Sequence, residues 1–166
     1  MSCPFGYGDD VPGPAPAPGE RSAPAAAPPV LSLAALECGV DTLLAAEPLG
    51  GMAALRRKSL TLTRLFADLV QARCAGHGLR LVSPTDDAQR GSQVCLARDE
   101  GAYAIVQALI ERGVIGDFRA PDVMRFGLTP LYLRFADIAA AVDVLEEVLR
   151  TDAWRAPEYQ VRQAVT

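Results

Sequence analysis

Lysine and histidine are almost missing from this chain: Lys58 and His77 are the only ones among 166 residues. One lysine leaves a single amine for any Schiff-base chemistry. One histidine excludes a multi-histidine metal site, and His77 sits in Ala75-Gly76-His77-Gly78, where a helix should end in a surface loop. Paired cysteine motifs are missing as well. Cys3, Cys38, Cys74 and Cys95 are widely spaced, with no C-x-x-C, so neither a zinc knuckle nor a redox pair is indicated, no metal ligands are assigned, and reduced thiols are expected. Excess positive charge is absent too: the net charge is −4 and the pI about 5.0, which argues against a nucleic-acid partner. The one basic group, Arg56-Arg57-Lys58, reads as the solvated face of a helix. No apolar run approaches the roughly 20 residues of a membrane span, and no basic segment opens the chain as in a signal peptide. A cytoplasmic protein without membrane contact is expected. Neither G-x-G-x-x-G nor a P-loop occurs, so a nucleotide cradle is not expected.

Proline, by contrast, is crowded at one end. Residues 1–29 hold eight of the 13 prolines and almost no large apolar side chains, a composition that predicts disorder. From Val30 the texture becomes that of a folded domain. Leu31, Leu33, Leu36, Val40 and Leu43 recur at helical intervals and predict a helix over Val30 to Ala46. A second helix is expected from Gly51 to Ala75, on the stripe of Met52, Leu55, Leu62, Phe66, Leu69 and Val70. Leu79 to Ser83 and Gln93 to Ala97 read as strands joined by the loop Ser83-Pro84-Thr85-Asp86-Asp87.

Asp99 is a plausible N-cap for the third helix, in which Ala102, Ile105, Val106, Leu109 and Ile110 share one face before Gly113 closes it. Val114 to Phe118 and Val123 to Phe126 then predict a strand pair across Ala120-Pro121-Asp122. In the second of these Met124 and Phe126 share a face and Arg125 points the other way. A last helix begins near Asp137, faces Ile138, Val142, Leu145 and Leu149 inward and ends about Arg150, leaving Trp154 in the tail. The order gives an α+β fold, a small, mainly antiparallel sheet covered by helices.

Four segments, PPVLSLAALECGVD (Pro28 to Asp41), RRKSLTLT (Arg56 to Thr63), RGSQV (Arg90 to Val94) and GVIGDFRAPDVMRFGLTPLY (Gly113 to Tyr132), resemble kynureninase in sequence, order and spacing. The resemblance covers most of residues 28–166 and implies the C-terminal small domain of a fold-type I pyridoxal-phosphate enzyme, detached from its large domain. The family hydrolyses L-kynurenine to anthranilate and L-alanine in tryptophan catabolism, on the path to NAD biosynthesis, as a cytoplasmic homodimer. In the family the arginine of the matching motif holds the substrate α-carboxylate, which here is Arg125. A guanidinium suits that role because it can donate two parallel hydrogen bonds to one carboxylate. Read without the motif, Arg125 would be a structural ion pair with a neighbour such as Asp122. Gly127 beside it would allow close backbone approach by a ligand. Asp117 and Arg119 read as structural, Tyr132 as packed on the last helix, and Arg90-Gly91-Ser92 as a turn.

The resemblance also marks what is missing. The family's cofactor lysine belongs to the large domain, whereas Lys58 matches a helical position, so this chain alone is expected to hold no pyridoxal phosphate and to be inactive. Just before Pro28 the family shows Cys-Gly-Thr, whose threonine helps bind the cofactor phosphate. This chain has Ala25-Ala26-Ala27. Ala27 in the threonine position, together with the composition of residues 9–27, suggests an upstream segment translated out of frame or started artificially in a GC-rich gene. Upstream DNA with no large-domain sequence running into Pro28 in any frame would defeat that idea. Two alternatives stand beside this reading: a cysteine desulfurase or selenocysteine lyase, which needs a loop cysteine whereas Cys95 falls in an expected strand without an activating base, and a non-catalytic α+β binding or interaction module.

Overall fold

The computed structural model describes residues 30–161. Two units divide after Gly39. The helix α1, Val30–Leu44, crosses that boundary and buries none of its residues, so Val30, Leu31, Leu36 and Leu44 stay more than half exposed. The expectations placed on residues 1–29, including Ala27, lie outside the described residues.

In the second unit the order is α2 (Gly51–Arg73), β1 (Arg80–Leu81), β2 (Gln93–Ala97), α3 (Ala102–Glu111), β3 (Asp117–Arg119), β4 (Val123–Gly127), α4 (Phe135–Arg150) and a short α5 (Pro157–Gln160). The strands form one sheet in the order β1-β2-β4-β3, antiparallel at every pairing. This is the expected α+β architecture.

Period-two alternation decides which face of the sheet is covered. Val94 pairs with Phe126, and Leu96 with Met124, which also pairs with Phe118. These side chains meet Leu62, Phe66 and Val70 of α2, Ile105 and Leu109 of α3, and Val142 and Leu145 of α4 in one core. Phe66 and Phe126 make a tilted ring contact with centroids 5.2 Å apart. Apart from Met52, Leu55 and Ile110, which stay out of the core, the 3.6-residue stripes of the three helices and the alternation of the strands point at the same volume, which is what specifies the fold.

Several boundaries differ from expectation. The strand expected from Leu79 shortens to Arg80–Leu81, because Val82 and Ser83 already turn away, both donating their amides to the Cys95 carbonyl. The strand expected from Val114 begins only at Asp117. The N-cap of α3 is Gly101 in the left-handed region, with φ of 75°, and not Asp99, whose carboxylate accepts a hydrogen bond from Arg80 at 2.9 Å. At the other end of α3 the Val114 amide donates to the Leu109 carbonyl at 2.9 Å, and Gly113, with φ of 84°, makes that reversal possible.

Candidate functional site

Arg125 lies at the middle of β4, directly between Cys95 of β2 and Asp117 of β3. All three occupy the sheet face opposite the helices, because Met124 and Phe126 on either side of Arg125 fill the core. The expected alternation therefore holds, and the guanidinium is delivered to the uncovered face with a quarter of its side chain exposed.

Its partner is Asp117, not the neighbour Asp122. Arg125 Nε donates to Asp117 Oδ2 at 3.1 Å, and Nη2 donates to the same oxygen. Arg119 stands 3.3 Å from that oxygen as well, so two guanidiniums share one carboxylate and one positive charge is left over. Asp122 instead serves Arg80 at 3.1 Å. Nη1 of Arg125 makes no hydrogen bond among the described residues. The end of the guanidinium formed by Nη1 and Nη2 can thus still receive a carboxylate in parallel fashion. Beyond Arg125, a Cβ on Gly127 would meet nothing within 4 Å, so packing inside the chain does not require glycine there.

The segments RRKSLTLT and RGSQV, with Thr63 and Arg90 27 residues apart in sequence, close into one clasp. Arg90 is almost fully buried and donates from Nε to Thr63 Oγ1 at 3.0 Å and from Nη1 to the carbonyls of Pro84 and Thr85 at 3.1 and 3.0 Å. Arg56 donates to the Arg90 carbonyl, and the Ser59 and Ser92 hydroxyls pair at 2.7 Å. Arg90 is therefore more than a turn residue. It fixes the whole loop before β2 against α2. The signal in the sequence was an arginine beside glycine and serine, which composition alone cannot tell from an exposed turn.

Lys58 departs from the solvated reading. It is half-buried, and Nζ donates to the Pro130 carbonyl at 2.7 Å, tying the segment after β4 to α2. A cavity of about 670 Å³ adjoins it, lined by Leu49, Leu55, Arg57, Pro130 and Tyr132 among others, with no side-chain carboxylate in its wall. An aldehyde cofactor held as a Schiff base needs a lysine amine free to attack and polar groups to orient its ring and phosphate. A Lys58 ammonium committed to a backbone oxygen above a mostly apolar wall does not fit that group. Among the described residues no other lysine exists.

Tyr132, expected to pack on the last helix, is 72% exposed and stands between that cavity and a second one of about 500 Å³ beside the end of β4. The second cavity is walled by Phe126, Leu128, Leu133, Ile138 and Val144, and Arg125 does not line it. Cys95 is buried in the middle of β2, paired with Arg125 of β4, its carbonyl accepts from the Val82 and Ser83 amides, and its thiol accepts a hydrogen bond from Gln93 Nε2 at 3.2 Å. His77 lies in the loop after α2, where its carbonyl accepts from Arg98 Nε at 2.8 Å.

The model of the kynureninase C-terminal domain matches residues 55–145. Curated relatives include the kynureninases of Pseudomonas fluorescens and of Burkholderia mallei strain SAVP1, each 51% identical over 138 residues. Those matches take in 83% of this chain and 32% of each relative, so the chain spans about a third of their length. Among solved structures, an inhibitor-bound glycine decarboxylase (P-protein) of the glycine cleavage system superposes with a TM-score of 0.50 at 24% identity. It covers 62% of this chain and 24% of that one, and at such identity the likeness is one of fold.

Proposed function

Since the chain belongs to the kynureninase family through its C-terminal domain, we propose that residues 30–166 act as the small domain of a pyridoxal-phosphate-dependent kynureninase. The substrate is L-kynurenine and the products are anthranilate and L-alanine. Within that enzyme Arg125 receives the substrate α-carboxylate. The observation that carries this reading is the placement of Arg125 on the uncovered sheet face with one guanidinium edge unused and a net positive charge around it. A fork of two parallel N–H donors fixes an amino acid's orientation more firmly than an ammonium does, and orientation decides which bond at Cα is labilised.

Pyridoxal phosphate supplies the electron sink for this reaction. Its lysine and phosphate cradle belong to the part of the longer relatives that this chain does not span, and the chain by itself neither holds the cofactor nor turns over substrate. The full enzyme is a cytoplasmic homodimer in this reading. The desulfurase alternative needs a mobile, activated thiol, and Cys95 is held inside a strand.

The test is a hybrid in which the matching C-terminal third of the Pseudomonas fluorescens relative is replaced by the corresponding residues of this chain. The hybrid should release anthranilate from L-kynurenine, and Arg125→Lys should raise KM by at least about tenfold, the loss of roughly one charge-assisted hydrogen bond. A folded, cofactor-loaded hybrid that releases sulfide from cysteine and leaves kynurenine intact would replace this reading with the desulfurase one. Titrating the chain alone with pyridoxal phosphate should give no Schiff-base absorbance.

A further inference from the structure

Arg125 carries four rotatable side-chain bonds, and an arginine left alone on an open sheet face would spread its guanidinium over many orientations. Asp117 removes that freedom. It sits directly opposite Arg125 in the β3–β4 register, on the same face, and a single carboxylate oxygen accepts from both Nε and Nη2. These two donors form the side edge of the guanidinium. With the side edge held, the remaining edge points along a fixed direction away from β3. Arg119, two residues along the same strand, approaches the same oxygen at 3.3 Å and offsets the carboxylate's charge, so that the cluster stays net cationic.

We propose that Asp117 is a positioning residue: it pins Arg125 by its side edge and presents the free edge to the carboxylate of an α-amino acid. This rests on the reading of Arg125 as the carboxylate holder and adds to it. It separates two effects that one might expect to go together. Removing the negative charge of Asp117 makes the cluster more cationic, which by charge alone would strengthen anion binding. If position governs instead, binding weakens despite the added positive charge.

The experiment uses the full 166-residue chain labelled with nitrogen-15, observing the Arg125 Nε–H signal and titrating with L-kynurenine and, separately, its methyl ester, which lacks the carboxylate. The wild-type chain should give a slowly exchanging Arg125 Nε–H signal that L-kynurenine shifts and the ester does not. Asp117→Asn should lose the protection of that signal and bind L-kynurenine about tenfold more weakly, while ester binding stays unchanged. Asp117→Glu, which retains the charge, should recover part of the preference for acid over ester. Asp117 is half exposed at the sheet edge, and the backbone amide spectrum reports whether each variant is folded. If Asp117→Asn misfolds, the Asp117→Glu comparison decides alone: it keeps the charge and displaces the carboxylate, so an acid-over-ester preference equal to that of the wild type overturns the proposal.

The two levels fail differently. If L-kynurenine leaves the wild-type Arg125 signal unmoved, or Arg125→Lys binds as the wild type does, the carboxylate role of Arg125 falls, and this inference with it. If Arg125→Lys abolishes binding while Asp117→Asn binds equally or more tightly, Arg125 keeps its role and only the positioning by Asp117 is overturned.

Discussion

Gly101 lies against the indole of Trp154 so closely that a Cβ on residue 101 would stand 2.3 Å from the ring carbon Cζ3. The contact joins the start of α3 to the turn after α4. Trp154 is 2% exposed, with the guanidinium of Arg155 4.2 Å and that of Arg98 4.7 Å from its ring centroid. Trp154, in a tail where periodicity predicts no element, is thus a core residue, clamped by cations and by a glycine.

Gly101→Ala imposes two separate costs. At φ of 75° any L side chain is strained by about 1–2 kcal/mol, and displacing the indole adds about 1–3 kcal/mol of overpacking. Gly76→Ala isolates the first cost, since Gly76 has φ of 86° but nothing within 4 Å of an added Cβ. Denaturant unfolding should therefore rank Gly101→Ala as the more damaging by at least about 1 kcal/mol. Equal losses would mean that the indole moves aside freely.

Arg90→Met should destabilise the chain by about 2–4 kcal/mol, because it strips buried partners from Thr63 and from the carbonyls of Pro84 and Thr85. Arg90→Lys should recover little of this. A point ammonium cannot reach a hydroxyl on α2 and two loop carbonyls from one position, whereas the guanidinium fork does so with separate nitrogens. Equilibrium unfolding of the two variants measures the difference, and a lysine variant as stable as wild type would show that charge alone holds the loop.

The contrast between Arg90 and Gln93–Ala97 shows what was legible. The strand announced itself by alternation and came out at the expected boundaries, as did the inward stripe of Ile138, Val142, Leu145 and Leu149. Both are periodic signals whose meaning does not depend on distant partners. Arg90, Lys58, Tyr132 and Trp154 are set by contacts that reach up to 72 residues along the chain, or by their absence, and no local pattern encodes these. At the candidate site the alternation placed Arg125 on the open face, but its choice of Asp117 over Asp122 follows from strand register, which short strands and a three-residue turn leave undetermined in sequence. The N-cap of α3 differs from expectation for a similar reason. Asp99 has the right side chain, yet its carboxylate is drawn to Arg80, and Gly101 supplies the backbone geometry instead.

Asp137 gives the chain an acid-sensitive helix start. Hydrogen bonds from the Arg134 side chain, and then from the Arg134 amide at 2.7 Å, hold its carboxyl below the usual range. A carboxylate with a depressed folded-state pKa contributes stability that is fully present above its unfolded value and is lost as pH falls through the folded one, hence below about pH 4. Asp137→Asn should flatten that part of the acid limb of a stability–pH curve and leave the neutral region less affected. A variant whose acid limb superposes on that of the wild type would remove Asp137 from the account.

The thiols should separate by burial. Burial, and secondarily the nearby Glu146 carboxylate, push the Cys74 thiol up, against the opposing influence of Arg73, whereas Cys38 is exposed on α1. Only the thiolate attacks an alkylating agent, so a raised pKa and a closed surface act in the same direction. With iodoacetamide near pH 8 and peptide mass mapping, Cys38 should be modified first, and Cys74 should react only as fast as the domain opens. Adding denaturant should bring the two rates together. If Cys74 instead reacts in the native chain at the rate of Cys38, the packing of Cys74 against Val70 and Leu96 is not maintained in solution, and the end of α2 opens independently of the core.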